Sequence, residues 1–192
     1  MTEPELILAL QQKSEMAFQA LVRTYQDKVF NTCLGMLRDV EDAEECAQDV
    51  FIEVYKSVEG FREEAKLSTW IYRIATTKCL ERIRKRKAKK RFAFLSSLSG
   101  DHKPDSKYLS NFVHPGVQME QNENARALFN AIEKLSENQR VAFTLHKIEG
   151  LPYEEIAEVL NVSLSSVESL MFRAKQNLKK LLKSYYEKNF LE

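Results

Sequence analysis

The chain has 192 residues, 29 Lys and Arg against 28 Asp and Glu, and a formal net charge of +1. Mean hydropathy is −0.42, no run approaches the ~18 consecutive apolar residues of a membrane span, and the start Met1-Thr2-Glu3-Pro4-Glu5 lacks a signal peptide's basic and apolar regions. Membrane insertion and export are therefore not expected, and with 44% hydrophobic residues, 5 Gly and 4 Pro the composition favours a cytoplasmic, helix-rich globular protein over a turn-rich all-β one.

Apolar Phe18, Val22, Tyr25, Val29, Cys33 and Met36 form one stripe of a helix over about 14–37. Asp39 can cap the next helix, whose first turn is acidic, as the helix dipole prefers. Its buried stripe is Ala43, Ala47, Val50, Val54 and Val58, widened by Cys46 and Phe51. A separate face carries Asp42, Glu45, Asp49 and Glu53 as an acidic ridge, and Gly60 is expected to stop the helix. Ser68 reads as the next N-cap, with Leu67 and Tyr72 placed as a hydrophobic staple. Ile71, Ile74, Ala75 and Cys79 continue helically into a basic tract.

Near-zero net charge hides a segregation. Ten acids face three bases over 38–64, and ten bases face only Glu81 over 73–91. Two different partners are implied, and the basic tract has the charge density that neutralises phosphates. From Ala93 the pattern fails among Ser, Gly, Pro and Asp, and 93–124 reads as an interdomain linker.

Order resumes with Leu128, Ile132 and Leu135. Ser136 and Gln139 match a capping box, Val141, Leu145 and Ile148 form a stripe, and Gly150 ends that helix. Pro152 to Leu160 is a short helix and Asn161-Val162-Ser163 a turn in which Asn suits the left-handed conformation. Ser163 caps a helix of about 164–183, with Val162 and Val167 as a staple. The apolar set Ile156, Ala157, Leu160, Val162, Val167 and Leu170 is that of a helix-turn-helix. The second helix leads with Ser165, Ser166, Glu168 and Ser169, its bases following at Arg173 and Lys175. The three cysteines, Cys33, Cys46 and Cys79, are odd in number and far apart, which is no disulfide framework and no zinc pattern; they read as buried thiols. No metal, no cofactor and no enzymatic activity are expected, because the three His are scattered and no phosphate loop, nucleophile elbow or metal spacing is present.

Three stretches together resemble a bacterial RNA polymerase sigma factor of the sigma-70 family, extracytoplasmic-function (ECF) group. Asp42-Ala43-Glu44-Glu45-Cys46-Ala47-Gln48-Asp49-Val50-Phe51 resembles region 2.2. Phe61-Arg62 with Ser68-Thr69-Trp70-Ile71-Tyr72-Arg73-Ile74-Ala75 resembles regions 2.3 and 2.4, and Glu149 to Ala157 with Phe172-Arg173-Ala174 resembles region 4.2. The resemblance implies an all-α protein. Its N-terminal helical bundle would be region 2 (1–92), joined by the linker (93–124) to the helix-turn-helix domain, region 4 (125–192).

The resemblance also implies partners: core RNA polymerase, through its β′ clamp helices and β flap; promoter DNA; and an anti-sigma or other regulatory protein. Docking on polymerase falls to Asp42, Glu45, Gln48, Asp49 and Glu53. The −10 element falls to Phe61, Arg62, Lys66, Trp70, Arg73, Thr77, Lys78 and Arg82, with Tyr72 as a further aromatic. Extruding a base costs a few kcal/mol, and stacking on an aromatic returns about 1–3 kcal/mol. Arg73, Lys78 and Arg82 are expected to be available for phosphates, having no acidic neighbour but Glu81. The −35 element falls to Ser163, Ser165, Ser166, Ser169, Arg173 and Lys175. Family members often carry Asn at the position of Thr77, Asp at that of Glu81, and a basic pair at those of Glu168 and Leu170. The serine-rich helix start with Glu168 leads to the expectation that region 4 reads DNA weakly or is placed by another protein. The competing reading is a stand-alone helix-turn-helix regulator, which accounts for the C-terminal third alone.

Overall fold

The structure, a computed structural model, describes residues 2–98 and 123–190. Helices α1 (Glu3–Gln11), α2 (Glu15–Leu37), α3 (Val40–Ser57) and α4 (Leu67–Leu98) make an N-terminal bundle. Helices α5 (Glu123–Glu133), α6 (Glu137–Lys147), α7 (Tyr153–Leu160) and α8 (Leu164–Phe190) make the C-terminal part. No strand occurs among the described residues, so the all-α expectation holds.

Local chemistry sets most helix ends. Ser14 Oγ accepts from the Ala17 amide, and Asp39 Oδ1 accepts from the Asp42 amide at 2.9 Å, so both side chains satisfy an amide the helix leaves free. Between α2 and α3 the chain turns through Arg38 at φ 61°. The open carbonyls at the end of α2 take cations from two other helices: Arg86 donates to Leu37 O and Arg140 to Met36 O, each at 3.2 Å. Gly150 at φ 71° follows α6 as expected.

Four expectations about boundaries change. The α3 helix ends at Ser57 and tightens into a 3-10 turn, Val58–Gly60, whose Gly60 is not left-handed. Helix α4 begins at Leu67, so Ser68 lies inside the first turn and does not cap it. The Leu67 amide instead donates to Glu3 Oε1 at 3.1 Å, a carboxylate supplied by α1. Helix α4 also runs through Ala93 to Leu98, because none of those residues breaks a helix; 99–122 of the expected linker lie outside the described residues, and its last two, Glu123 and Asn124, already belong to α5. Ser136 sits at the N-cap of α6 without a side-chain cap bond, and Gln139 is taken by Asn177 of α8, which donates to its Oε1 at 3.0 Å. The capping box is not made.

The core runs through both halves. One buried cluster joins Leu21, Val29, Val50, Val54 and Ile71 to Val141, Leu145, Ile156, Val167 and Met171. Ala131, Ile132, Leu135, Ala174 and Leu178 form a second cluster between α5 and α8. Of the predicted C-terminal stripe residues, Leu128, Ile148 and Val162 are exposed, and Leu170 is half-buried. Met171 and Ala174, one position further along each turn, take the inward face of α8.

Candidate functional site

The ridge on α3 forms as expected, but it is not free. Burial of Ala43, Ala47, Val50 and Val54 against α2 and α4 turns Glu45, Gln48 and Asp49 to the surface. Helix α4 packs alongside and brings its bases to them. Arg82 contacts Asp42 at 3.6 Å, Glu45 at 3.1 Å and Asp49 at 2.7 Å, and Arg86 pairs with Asp42. Lys78 pairs with Glu53 at 2.9 Å. The hydrogen bond from Lys78 holds the Glu53 carboxyl below the usual carboxylate range and raises the lysine in turn. This corrects the expectation that Lys78 and Arg82 lack acidic neighbours. Sequence separation hid the pairing, because the partners lie 25 and 33 residues away.

The second group of residues gathers at the start of α4. Phe61 is buried, Trp70 is half-buried, and their ring centroids lie 4.9 Å apart. Phe61 is thus part of the core, and Trp70 stays partly accessible. Tyr72 is also buried, unlike Arg62, Lys66, Arg73 and Thr77, which are exposed. The Thr77 hydroxyl donates to Arg73 O at 2.9 Å within the helix.

This surface faces the C-terminal helices. Lys66 pairs with Glu155 of α7 at 2.7 Å, and Arg73 donates to Glu158 O at 2.6 Å. Tyr72 donates to Glu149 at 3.0 Å. Burial is the main reason that both the Tyr72 hydroxyl and the Glu149 carboxyl are pushed up. Further along α4, Arg84 and Lys87 hold Glu137 of α6, and the bond from Lys87 is the main cause that lowers this carboxyl. None of these acidic partners belongs to the sequence-derived site, whose logic looked for bases along one helix.

In the C-terminal part, α7, the Asn161 turn at φ 52° and α8 reproduce the helix-turn-helix. Ser163 caps α8: its Oγ accepts from the Ser166 amide at 3.2 Å. It also lies 3.0 Å from Ser165 Oγ and 2.8 Å from Ser166 Oγ. The serines therefore bond to one another at the helix start. Ser165, Glu168, Ser169, Arg173 and Lys175 are exposed on α8.

Comparison with known proteins agrees with this order of parts. The family model "Sigma-70 region 2" matches residues 21–89, and "Sigma-70, region 4" matches 125–178. The chain is 34% identical to the ECF RNA polymerase sigma factor SigW of Bacillus subtilis, covering 87% of this chain and 89% of SigW. It is 31% identical to the ECF RNA polymerase sigma-E factor of Haemophilus influenzae, covering 92% and 93%. In fold it is similar to CnrH, solved in complex with the cytosolic domain of CnrY, with a TM-score of 0.68 at 19% identity over 95% of this chain and 97% of that one. It is also similar to the sigma factor RpoE of Bartonella quintana, solved in complex with the anti-sigma factor NepR, with a TM-score of 0.66 at 21% identity over 86% and 96%. A stand-alone regulator finds no support, since the region 2 match accounts for the half that such a protein would leave unexplained. Two matched regions in this order, and relatives aligned over nearly their whole length, place the chain in the ECF group of the sigma-70 family, the non-enzymatic subunits that bind core RNA polymerase and direct it to promoters.

Proposed function

We propose that the α3 ridge docks this sigma factor on the β′ clamp helices of core polymerase, through Asp42, Glu45, Gln48, Asp49 and Glu53. The observation that carries this is one helix face with four carboxylates at its surface. Each ion pair to Arg82 leaves its acid partly open: side-chain exposure is 30% at Asp42, 60% at Glu45 and 49% at Asp49. Ile52, 50% exposed and one turn beyond Gln48, adds an apolar contact that the charge pattern did not single out. A clamp helix carrying Arg competes with Arg82 for these carboxylates, since planar guanidinium groups bind them in the same way.

The −10 element falls to Trp70 for stacking and to Arg62, Lys66, Arg73, Lys78 and Arg82 for phosphates, with Thr77 on the same exposed side. Phe61 supports Trp70 from the core. The −35 element falls to the start of α8 and to Arg173 and Lys175, with region 4 meeting the β flap. The mutually bonded serines and Glu168 offer phosphate little attraction, which supports weak reading of the −35 element. The proposed domain division is region 2 over 1–92, linker 93–124 and region 4 over 125–192, with the end of α4 (to Leu98) and the start of α5 (from Glu123) falling inside the linker bounds; the proposed site of action is the cytoplasm, with the polymerase. No described helix is long and apolar enough to cross a membrane. The solved complex of RpoE with the anti-sigma factor NepR supports an anti-sigma partner here as well.

The test is co-migration with bacterial core polymerase on a sizing column, comparing wild type with Asp42→Lys/Glu45→Lys/Asp49→Lys. Binding by the wild type alone is the expected result, with helicity by circular dichroism retained in both. Equal binding by the two removes the ridge from the interface.

A further inference from the structure

Three thiols from three helices meet inside region 2. Cys33 of α2, Cys46 of α3 and Cys79 of α4 are each fully buried, and none is in a disulfide. Their Sγ atoms all lie within 4.8 Å of one another, and Cys46 and Cys79 are 3.7 Å apart. A hydrophobic core asks only for apolar volume at these positions, and the buried cluster that contains them is otherwise mostly Ala, Val, Ile and Leu. Convergence of all three cysteines of the chain on one point is a chemical feature beyond packing.

The donor set limits the ligand. Metal–thiolate bonds of about 2.3 Å place the sulfurs of a trigonal complex about 4.0 Å apart, within the range found here. Structural zinc takes four protein ligands. Among the described residues no His, Asp or Glu joins the three cysteines to supply a fourth. A soft ion that accepts three thiolates and needs no water fits better, and thiolate donors select copper(I) among the available metals.

We propose that Cys33, Cys46 and Cys79 form a three-coordinate site for a soft monovalent cation of the copper(I) class. Binding releases the proton of each thiol that coordinates, to solvent, with no change in oxidation state. An occupied site ties α2, α3 and α4 together, and of these α3 presents the ridge and α4 the basic face. It thereby couples the stability of region 2 to a soft metal.

The experiment uses the full chain, reduced and without oxygen, with copper(I) as the probe and a chromogenic copper(I) chelator in competition. Because the thiols are buried, copper(I) is supplied both to the folded protein and during refolding from denaturant. The expected result is one copper(I) per chain held against the chelator, a thiolate-to-copper charge-transfer band in the near ultraviolet, and a raised Tm. Loss of an outer partner of a metal ligand costs ~10–100-fold in affinity, so loss of a ligand costs at least that. Cys33→Ala, Cys46→Ala and Cys79→Ala should each weaken retention accordingly, and the triple variant should abolish it. Cys33→Val, which keeps the core filled, separates lost ligation from lost folding: it should retain helicity and lose copper. Wild type holding no more copper than the triple variant by either route overturns the proposal. So does tighter retention of zinc than of copper(I), or a Cys46–Cys79 disulfide formed in air by a protein that holds no copper when reduced.

Discussion

The Tyr72 hydroxyl donates to Glu149 at 3.0 Å and so ties the basic helix of region 2 to the loop ahead of the helix-turn-helix. Lys66 with Glu155 and Arg73 with Glu158 O flank that bond. Behind it the buried cluster continues from one region into the other. Region 4 therefore lies over Lys66, Tyr72 and Arg73, and under the proposed −10 assignment promoter DNA reaches Lys66 and Arg73 only when these contacts part. Under that proposal, sigma activity includes the work of opening the molecule.

Glu149 makes that work depend on pH. Burial, its main influence, raises the carboxyl above its ordinary value of 4.5. The folded state then binds the proton more tightly than the unfolded state. The contribution to stability is full below the unfolded value and is lost as pH rises through the folded one. Glu149→Gln keeps an acceptor for Tyr72 and removes the charge. It should raise Tm at neutral pH, change little at acidic pH, and flatten the dependence between them. Thermal unfolding across pH checks this, and a lower Tm at neutral pH would show that the charge itself is satisfied.

Gly35 sets how closely the two regions approach. A Cβ there meets Ile148 Cδ1 at 2.6 Å and Thr144 Cγ2 at 2.8 Å, both on the region 4 side. Ile148 is exposed and can move aside, whereas Thr144 is buried and cannot. Gly35→Ala also gains about 1 kcal/mol of helix propensity inside α2. The expected outcome is a wider separation of the regions, read by small-angle scattering or by distances between spin labels, with region 2 no less stable. An unchanged separation would mean that the approach is not limited by this contact.

Arg82 is held on the acidic ridge and is also proposed as a phosphate contact. Its side chain is 22% exposed and bridges three ridge carboxylates. Surface ion pairs contribute about 0–1 kcal/mol each, so Arg82→Ala should cost roughly 1 kcal/mol in denaturant unfolding. Polymerase binding should be retained, because the ridge acids remain. Promoter opening should fall, with a shallower dependence on salt, because one phosphate contact is gone. A loss of polymerase binding would instead make Arg82 an organiser of the docking face.

Asn161 turns the chain between α7 and α8 at φ 52°. A β-branched residue pays about 1–2 kcal/mol for that left-handed conformation, and Gly pays none. Asn161→Val should destabilise region 4 by about that amount and weaken its DNA contacts, while Asn161→Gly should keep both. Equal behaviour of the two variants would place the turn's role in the Asn side chain.

What the sequence determined by itself is local. The stripe from Phe18 to Met36, the cap at Asp39, the left-handed Asn161 and the cap at Ser163 each depend on partners within about one helical turn. Periodicity and spacing therefore exposed them, and the three motif stretches followed. The tertiary structure decided the rest, because those partners are remote in the chain. Glu3 caps α4 from 64 residues away, where Ser68 had the right chemistry two positions too late. Asn177 of α8 takes Gln139 away from its capping box. Lys66 meets Glu155 across 89 residues, Cys46 meets Cys79 across 33, and Arg82 finds the ridge only once α3 and α4 pack. Apolar burial brings those helices together without regard to the charges and thiols they carry. Which of those groups then meet depends on packing geometry, which no one-dimensional pattern contains.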